Sequence, residues 1–552
     1  RDEELPNPGL TVSFLDRMQD VTSIVLKGYT PEMTEEERIN LIRENSSRLI
    51  EEATSDGKGL RATVEAMYYG NQYFLFVYRE FSDVRFVGAP PTSIGKFGGE
   101  TDNWMWPRHT GDFSLFRIYA DKDNNPAGYS EENVPYQPKK YFKISTSGVK
   151  EGDFTFIYGF PGYTQEYIHS EGVRYISEIS DPTKVELRTL RLNIMNKHMG
   201  QSQAVRIQYS TKKARVANAW KKWQGEAGGI KKRKTVQTNQ NYEKRFIEWA
   251  KGTEYEGIVE EIDRIYKELE THHFIVDVFS ETAQTIEISR LARQVSGHSL
   301  ETVKNISKSF FKDYYMPIDK ECFVALMNEF NNIIPTIHQP EFYKEQIKKY
   351  GNVEVWADSL FANSIFTEES KIVSLGEDYK EILRNDPASV YYIEMQNWAL
   401  PHLNKARALN RELQLLYRTY MRGQMDFAPD RTVYYPDANL TLRVSYGHIK
   451  GYSPYDGAYY YPSSTLKGII EKDNPEIFDY NIPQKLRDIY HTKDFGRWVD
   501  ENGEVPVCFI ATNHTTGGNS GSPVINAEGN LIGINFDRVW EGTMSDIDFD
   551  LD

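Results

Sequence analysis

The sequence predicts a multidomain protein of the β + α class, with strand-forming segments at both ends and a long helical region between them. Short apolar runs bounded by turn residues fill positions 1–162 and return at 439–552, whereas apolar residues recur at three- and four-residue steps through 163–438. A chain of 552 residues can form roughly two to four domains. We therefore expect a helical domain at 163–438, inserted between the two parts, 1–162 and 439–552, of one β domain.

The first part is expected to begin with a helix and to continue as strands. Between positions 30 and 53, three glutamates occupy the first turns, and apolar residues then recur at helical spacing. Residues 63–69 and 73–78 are apolar and aromatic runs separated by a Gly-Asn pair, the pattern of a β-hairpin. Further strands are expected at 112–119 and 154–162.

The middle region shows the helical period, and the last part returns to strands. Segments 255–269 and 281–295 alternate apolar and charged residues at helical spacing. The strand period resumes at 440–447, and strand-like runs at 505–510 and 524–534 flank a loop rich in glycine and serine.

Composition excludes several classes of function. Hydrophobic residues at 39% and aromatic residues at 13% describe a folded globular protein. A net charge of −15 argues against nucleic acid as a partner, because its phosphates would be repelled. No apolar run approaches the length of a membrane span.

Cysteine and histidine usage argue against a disulfide scaffold and a metal enzyme. The two cysteines, Cys322 and Cys508, cannot form a disulfide framework. The pair His272 and His273 lacks the spacing of a zinc-binding helix, and no glycine-rich phosphate loop is found. We expect neither a catalytic metal nor another cofactor.

The most informative motif is Gly-Gly-Asn-Ser-Gly-Ser-Pro at 517–523. Its glycines allow the amides of Gly518 and Ser520 to converge on one point beside the Ser520 hydroxyl. A hydroxyl beside converging N–H donors is the nucleophile and oxyanion hole of acyl transfer. The motif resembles the nucleophile loop of chymotrypsin-like serine peptidases; the alternative is an ordinary hairpin loop.

Such a serine needs an aspartate and a histidine earlier in the chain. Asp112 precedes an apolar strand-like run and is the candidate for the residue that orients the histidine. Gly-Asp before a strand is also common turn chemistry, which is the alternative interpretation.

The catalytic histidine is missing from the expected place. No histidine precedes His109, which lies only three residues from Asp112, and His514 follows the aspartate in the wrong order. We expect both to be structural or close to the substrate. The chain begins at Arg1 without an initiator Met and ends in an acidic run, so we expect a fragment cut at both ends, inactive alone, with its catalytic histidine upstream.

Three segments together resemble the bacterial dipeptidyl-peptidase 7/11 family of serine peptidases: 98–112, 517–523 and 535–538, with 218–225 matching as well. The resemblance implies a chymotrypsin-like double β-barrel, incomplete here at its N-terminus, with a large inserted all-helical cap domain. It also implies removal of dipeptides from the free N-termini of oligopeptides, a homodimer, and a periplasmic or cell-envelope location.

One position separates the subtypes of that family. Arg538 stands eighteen residues after Ser520, where the Asp/Glu-specific members carry arginine and the members that prefer hydrophobic residues carry glycine. A guanidinium offers a planar fork of donors to a carboxylate, so Arg538 is the candidate for binding an acidic second residue of the substrate. The alternative is a surface arginine paired with Glu541 or Asp548.

The resemblance also indicates how a free amine would be recognised. Asp537 is the candidate anion for the substrate ammonium, a role that the resemblance also gives to Asn103, Trp104 and Asn218. Two further candidates, Arg108 and Phe536, are expected to line the same subsite. Because neighbours on a regular strand point to opposite faces, Asp537 and Arg538 reach one cleft only where the strand ends or bends.

Three other functions remain open. An endopeptidase would share the serine loop without an amine site, and a dipeptidyl-peptidase that prefers hydrophobic residues would lack Arg538. A non-catalytic peptide-binding protein would fit a chain that has no catalytic histidine.

Overall fold

The computed structural model describes residues 3–55, 57, 59–428 and 433–550, and the chain divides into two compact units. One unit combines Arg1–Tyr167 with Tyr417–Asp552, and the other is Ile168–Leu416. The second unit is shorter at both ends than the predicted inserted domain, so residues 417–438 belong with the unit that carries the strands.

Every strand of the described residues lies in the first unit. In chain order they are β1 (Leu5–Pro6), β2 (Val12–Asp20), β3 (Leu60–Met67), β4 (Gln72–Phe81), β5 (Asp83–Gly88), β6 (Leu115–Ala120), β7 (Val134–Pro135), β8 (Phe154–Gly159), β9 (Arg443–His448), β10 (Ser463–Thr465), β11 (Pro506–Phe509), β12 (Ser522–Asn526) and β13 (Leu531–Asn535). They form sheets in the orders β1-β5-β6-β7, β2-β4-β3, β13-β12-β8-β9 and β10-β11.

The predicted hairpin near the start of the chain is confirmed. Strands β3 and β4 pair antiparallel from Leu60 opposite Arg79 to Met67 opposite Gln72, and a short turn at Tyr68–Gly70, whose residues have positive φ values, connects them. Tyr73, Leu75 and Val77, on one face of β4, pack with the helix Glu35–Thr54 and form one apolar core of this unit.

That helix begins where its sequence provides a cap. Thr34 and Glu37 form a capping box, in which the Thr34 hydroxyl accepts from Glu37 N–H and the Glu37 carboxylate accepts from Thr34 N–H. The prediction of a helix over 30–53 is confirmed, with Glu35 as its first residue.

All regular elements of the second unit in the described residues are helical, and the first unit contains a few helices as well. The α-helices of the first unit are Thr22–Val25, Glu35–Thr54, Thr92–Gly95, Leu466–Lys472 and Gln484–Thr492. Those of the second are Ser170–Arg174, Asp181–Gln201, Gln203–Arg233, Thr235–Ala250, Ile258–Glu281, Glu287–Val295, Leu300–Phe311, Met316–Ile333, Glu341–Tyr350, Val353–Asn363, Glu369–Val373, Tyr379–Asn385 and Pro387–Phe427, the last of which joins the first unit from Tyr417. Shorter helical stretches are Tyr68–Gly70, Tyr175–Ser180, Ala283–Thr285, Thr336–His338, Ile365–Thr367, Phe478–Tyr480 and Trp540–Asp546.

None of the helices within the described ranges has both the length and the apolarity needed to cross a membrane.

An aromatic-rich apolar core holds the second unit together. Phe323, Trp356 and Tyr391 are buried and stack edge-on against one another, with ring centroids 5.0 to 5.8 Å apart. The predicted helix at 255–269 is confirmed, whereas the one at 281–295 starts later than predicted, because Glu281 ends the preceding helix.

The strands of the last part position the candidate site. The serine loop follows β11 and leads directly into β12, and β13 ends at Asn535, just before Phe536. The expected strand at 112–119 begins only at Leu115, so Asp112 lies in the irregular segment that precedes β6.

Candidate active site

The serine loop is a tight turn with its hydroxyl exposed. Gly518 and Gly521 adopt φ values of 102° and 87°, and the amide of Ser522 closes the turn by donating to Asn519 O at 2.9 Å. Ser520 is exposed, and its Oγ donates to Phe536 O at 3.3 Å. The nucleophile candidate therefore lies beside the segment that carries the predicted substrate-binding residues.

Glycine is required at position 518 by packing as well as by φ. A Cβ there would lie 2.5 Å from Phe160 O and 2.9 Å from Gly162 N. The neighbouring Gly517 carbonyl accepts a hydrogen bond from the Gly162 amide at 2.6 Å. The loop is thus held against residues 160–162, which leave room only for a glycine.

The amides of the loop differ in what they bind. The Asn519 amide donates to Thr516 O at 3.1 Å, whereas those of Gly518 and Ser520 donate to no residue in the described ranges. Two amides near the exposed Ser520 hydroxyl are therefore available to a ligand. Their role as the oxyanion hole stays a prediction.

Asp537 is a half-buried carboxylate with three hydrogen bonds already in place. Its Oδ2 accepts from Arg108 Nη1 at 2.6 Å and from the Trp104 amide at 3.2 Å, and its Oδ1 accepts from the Arg538 amide at 2.9 Å. Since a carboxylate has about four acceptor positions, one remains for a further donor. The side chains of Asp537 and Arg108 are 16% and 13% exposed, so this ion pair is shielded from solvent.

Arg538 lies on the same irregular segment and is held mainly by Asp546. Its Nη1 donates to Asp546 Oδ1 at 2.7 Å, and its guanidinium carbon lies 5.6 Å from the centre of the Trp104 ring. Glu541, which sequence reasoning considered as a partner, instead accepts from the Tyr452 hydroxyl at 2.7 Å. Because β13 ends at Asn535, the strand geometry that would have separated Asp537 from Arg538 does not apply.

The loop at 98–112 contributes Asn103, Trp104 and Arg108. Trp104 has a positive φ of 65°, and its amide reaches Asp537, while Asn103 Nδ2 donates to Glu100 Oε1 at 3.4 Å. The neighbouring Asp102 is buried and accepts from Lys472 Nζ at 2.7 Å and Tyr480 at 2.9 Å, which anchors the loop.

Arg108 connects two predicted subsite residues. Its guanidinium carbon lies 5.2 Å from the centre of the Phe536 ring, while the same guanidinium binds Asp537. Sequence reasoning placed Arg108 near the amine subsite but missed this ion pair, which joins residues 429 positions apart. No local signal in the sequence indicates such a pairing.

Asp112 is exposed at the start of its segment, and its carboxylate accepts no hydrogen bond from any residue that the structure describes. The preceding Gly111 amide donates to Ile94 O at 2.9 Å, which fixes the backbone at this point. The orienting role of Asp112 stays a prediction.

His109 and His514 both lie in structural positions. His109 is 5% exposed, a Cβ on Gly468 would lie 2.0 Å from its Nε2, and burial, followed by the charge of Lys472, lowers its pKa to about 4. His514 Nε2 donates to Ser545 O at 2.9 Å, and its ring stacks on Phe549 with centroids 4.2 Å apart. None of these contacts places either ring beside Ser520.

Asn218 lies in the other unit, on the helix Gln203–Arg233. Its predicted role in binding the substrate amine stays a prediction.

Sequence reasoning missed the residues that surround Arg538. Thr515 O and Ser545 Oγ accept from its Nη1 at 3.2 and 2.7 Å, in addition to Asp546. Asp546 was visible only as the first member of an acidic run near the end of the sequence. Nothing in that run distinguishes a buried partner of arginine from a solvated acid.

The described residues contain no group of three or more histidine, cysteine, aspartate or glutamate side chains arranged to hold a metal ion. Cys322 and Cys508 are buried and unpaired with each other.

Comparisons with known proteins identify the family. The sequence profile of peptidase family S46 matches residues 1–552. An Asp/Glu-specific dipeptidyl-peptidase of Capnocytophaga gingivalis is 42% identical over 575 residues, covering 99% of this chain and 80% of the relative. A dipeptidyl-peptidase 7 of Phocaeicola vulgatus is 37% identical, covering 100% of this chain and 80% of the relative.

Solved structures agree with the sequence comparisons. The crystal structure of Porphyromonas endodontalis DPP11 in complex with the dipeptide Arg-Glu is similar to this chain with a TM-score of 0.85 and 36% identity, covering 99% of this chain and 82% of that one. Another structure of that protein, in an alternate conformation, gives a TM-score of 0.74 at 33% identity, with coverage of 100% and 81%. This chain, with its mixture of helical and sheet elements, belongs to the peptidase S46 family.

Proposed function

We propose that this protein is a serine dipeptidyl-peptidase that releases N-terminal dipeptides with Asp or Glu at the second position from oligopeptides. One observation carries the proposal: Asp537 and Arg538, a carboxylate and a guanidinium, lie side by side on the segment that the Ser520 hydroxyl contacts through Phe536 O. An acidic dipeptide at a free N-terminus presents the complementary pair, an ammonium and a carboxylate. The names of the relatives agree with this assignment.

Ser520 is the proposed nucleophile. It attacks the carbonyl after the second residue of the substrate, and the unengaged amides of Gly518 and Ser520 stabilise the oxyanion that forms. Asp112 orients the histidine that accepts the serine proton, on a chymotrypsin-like double β-barrel. We assign this base to neither His109 nor His514, because contacts elsewhere hold both rings.

Asp537 is the proposed anion of the amine subsite. Its remaining acceptor position binds the substrate ammonium, and the ion pair with Arg108 keeps its carboxylate in one orientation. Asn103 and Trp104 complete the recognition of the amine, a role that the family resemblance also gives to Asn218, and Phe536 forms a wall of the subsite. A longer N-terminal extension would replace the ammonium by an uncharged amide, which this carboxylate binds less well.

Arg538 is the residue proposed to bind the acidic side chain of the substrate's second residue. It is only 10% exposed, so its attraction to a substrate carboxylate is weakly screened by water. Members of the family that prefer hydrophobic residues carry glycine at this position and have no guanidinium there to attract a substrate carboxylate. Arg538 therefore favours the Asp/Glu-specific activity over that alternative.

Location and assembly are proposed on the resemblance alone. We propose a periplasmic or cell-envelope location and a homodimer. Cell fractionation with an antibody and light scattering of the purified protein test these two statements separately.

The experiment that tests the activity uses the protein produced from its complete gene. It is assayed against chromogenic dipeptides that end in Asp, Glu, Leu or Lys, each with a free and with an acetylated N-terminus. We expect release only after Asp and Glu, and loss of release on acetylation and in Ser520→Ala. The matched control is Ser522→Ala, which removes a buried hydroxyl two residues away and should retain activity.

Other outcomes distinguish the alternatives. Cleavage that is indifferent to acetylation would indicate an endopeptidase, and cleavage after Leu would indicate a dipeptidyl-peptidase that prefers hydrophobic residues. Binding of the dipeptides without cleavage would indicate a peptide-binding protein.

A further inference from the structure

The guanidinium of Arg538 is held at one end by a second carboxylate. Asp546 Oδ1 accepts from Nη1 at 2.7 Å, and Asp546 Oδ2 accepts from Nη2 at 3.3 Å. Ser545 Oγ and Thr515 O also accept from Nη1, at 2.7 and 3.2 Å. The side chains of Arg538 and Asp546 are 10% and 16% exposed, so this arrangement is largely shielded from water.

The arrangement leaves one edge of the guanidinium available. Of the five N–H donors of an arginine side chain, those of Nη1 are engaged by three acceptors, and one of Nη2 points to Asp546. Nε donates to no residue in the described part of the chain, and the second N–H of Nη2 lies on the same edge as Nε. That edge has the geometry to bind a second carboxylate through two parallel hydrogen bonds.

Asp546 is anchored independently of Arg538. Its carbonyl accepts from the Gln165 amide at 2.6 Å, and the carbonyl of the preceding Ser545 accepts from His514 Nε2 at 2.9 Å. Phe549 stacks on the His514 ring and holds it from the other side. The acid therefore has a fixed position from which to orient the arginine.

We propose that Asp546 is a positioning residue that determines specificity, because it selects the edge of Arg538 that reads the acidic side chain of the substrate. This inference rests on the proposed function, in which Arg538 binds that side chain. With Asp546 on the Nη1–Nη2 end, the Nε–Nη2 edge is presented in one orientation. Without Asp546 the guanidinium keeps its charge but can rotate, so one of the two paired hydrogen bonds to the substrate is lost while the attraction remains.

The test compares acidic with amide substrates in the protein from the complete gene. For wild type and Asp546→Asn, kcat/KM is measured for dipeptides ending in Asp or Asn and in Glu or Gln. The acid-to-amide ratio of kcat/KM should fall about tenfold in Asp546→Asn, as expected for losing one charge-assisted hydrogen bond. The fall should come from a higher KM for the acidic substrates. The amide substrates should keep their kcat/KM.

Two further variants separate positioning from a general loss of structure. In an Arg538→Lys background, where no planar fork exists, Asp546→Asn should leave the acid-to-amide ratio unchanged. The charge-matched control is Glu541→Gln in the same helical stretch, Trp540–Asp546; its carboxylate binds Tyr452 rather than Arg538, and the variant should keep the wild-type ratio. If Asp546→Asn does not fold, Ser545→Ala removes a single acceptor of Nη1 and should lower the same ratio by a smaller factor.

The possible results separate the two proposals. An equal fall for acids and amides, an increased ratio, or an undiminished effect of Asp546→Asn in the Arg538→Lys background would overturn the role of Asp546. A wild-type protein that shows no preference for acids over amides would instead refute the proposed function, and this inference with it.

Discussion

The replacement Asp537→Asn tests whether a single carboxylate is responsible for the requirement for a free N-terminus. In the structure this carboxylate balances Arg108 at 2.6 Å, so the amine subsite is neutral before substrate binds. Asparagine leaves the subsite with a net positive charge, and if its Oδ1 accepts from Arg108 Nη1 and the Trp104 amide, its Nδ2 cannot accept from the Arg538 amide. The substrate ammonium then meets a cation rather than an anion.

The expected loss follows from the burial of the pair. Removing one member of a shielded charge pair costs about 2–5 kcal/mol, which corresponds to a fall in kcat/KM of roughly 30- to 5000-fold. The second replacement Arg108→Gln, added to Asp537→Asn, removes the uncompensated cation. At a separation of about 6 Å and an effective dielectric constant of about 20, this repulsion amounts to about 3 kcal/mol, so the double variant should recover about 2 kcal/mol after rearrangement.

The assay measures kcat/KM for one acidic dipeptide substrate with a free and with an acetylated N-terminus. Asp537→Asn should lower the value for the free amine toward that for the acetylated substrate, and the double variant should lie between Asp537→Asn and wild type. An unchanged value for the free amine in Asp537→Asn, or a double variant as poor as the single one, would show that Asp537 does not act on the ammonium.

Three further predictions concern the same region. Arg538→Gly should move the preference from Asp and Glu to Leu, with kcat/KM for the acidic substrates falling by roughly 10²-fold, and an unchanged preference would refute its assigned role. Gly518→Ala should abolish activity and lower Tm, because a Cβ would lie 2.5 Å from Phe160 O, and a fully active variant would contradict the close approach of the two segments. Because the folded-state pKa of His109, about 4, lies below its ordinary value of 6.5, its contribution to stability is present above pH 6.5 and is lost as the pH falls toward 4. The free energy of unfolding of wild type minus that of His109→Asn should fall by up to about 3 kcal/mol over this interval, and a flat difference would show that His109 is not kept neutral.

Local sequence signals were sufficient for the elements that they directly encode. The glutamates at 35–37 with the helical spacing after them, and the two apolar runs around a Gly-Asn pair, predicted a helix and a hairpin that the structure contains. The end of the helical region could not be predicted in the same way. One helix, Pro387–Phe427, runs through the boundary at Tyr417, so the helical period continues where the compact unit changes.

The candidate site shows the same division between local and distant information. The serine loop is a contiguous motif, and its glycines predicted a turn that the structure contains. The Arg108–Asp537 pair joins positions 429 apart and depends on the path of two loops, which composition and period do not determine. Asp546 could not be separated from its acidic neighbours, because only the burial of the Arg538 side chain gives it a particular role.

The charges of this region alternate in sign. This alternation explains how one small site recognises both the ammonium of a dipeptide and the acidic side chain of its second residue. Arg108 binds Asp537, and Arg538 binds Asp546, so the two cations and two anions leave the empty site neutral. An N-terminal dipeptide with an acidic second residue adds one ammonium and one carboxylate, and the site stays neutral when it is bound. A dipeptide with an apolar second residue adds only the positive charge, and an acetylated acidic dipeptide adds only the negative one. In a half-buried site each imbalance costs free energy that water screens poorly, so discrimination at the two subsites has a common electrostatic origin.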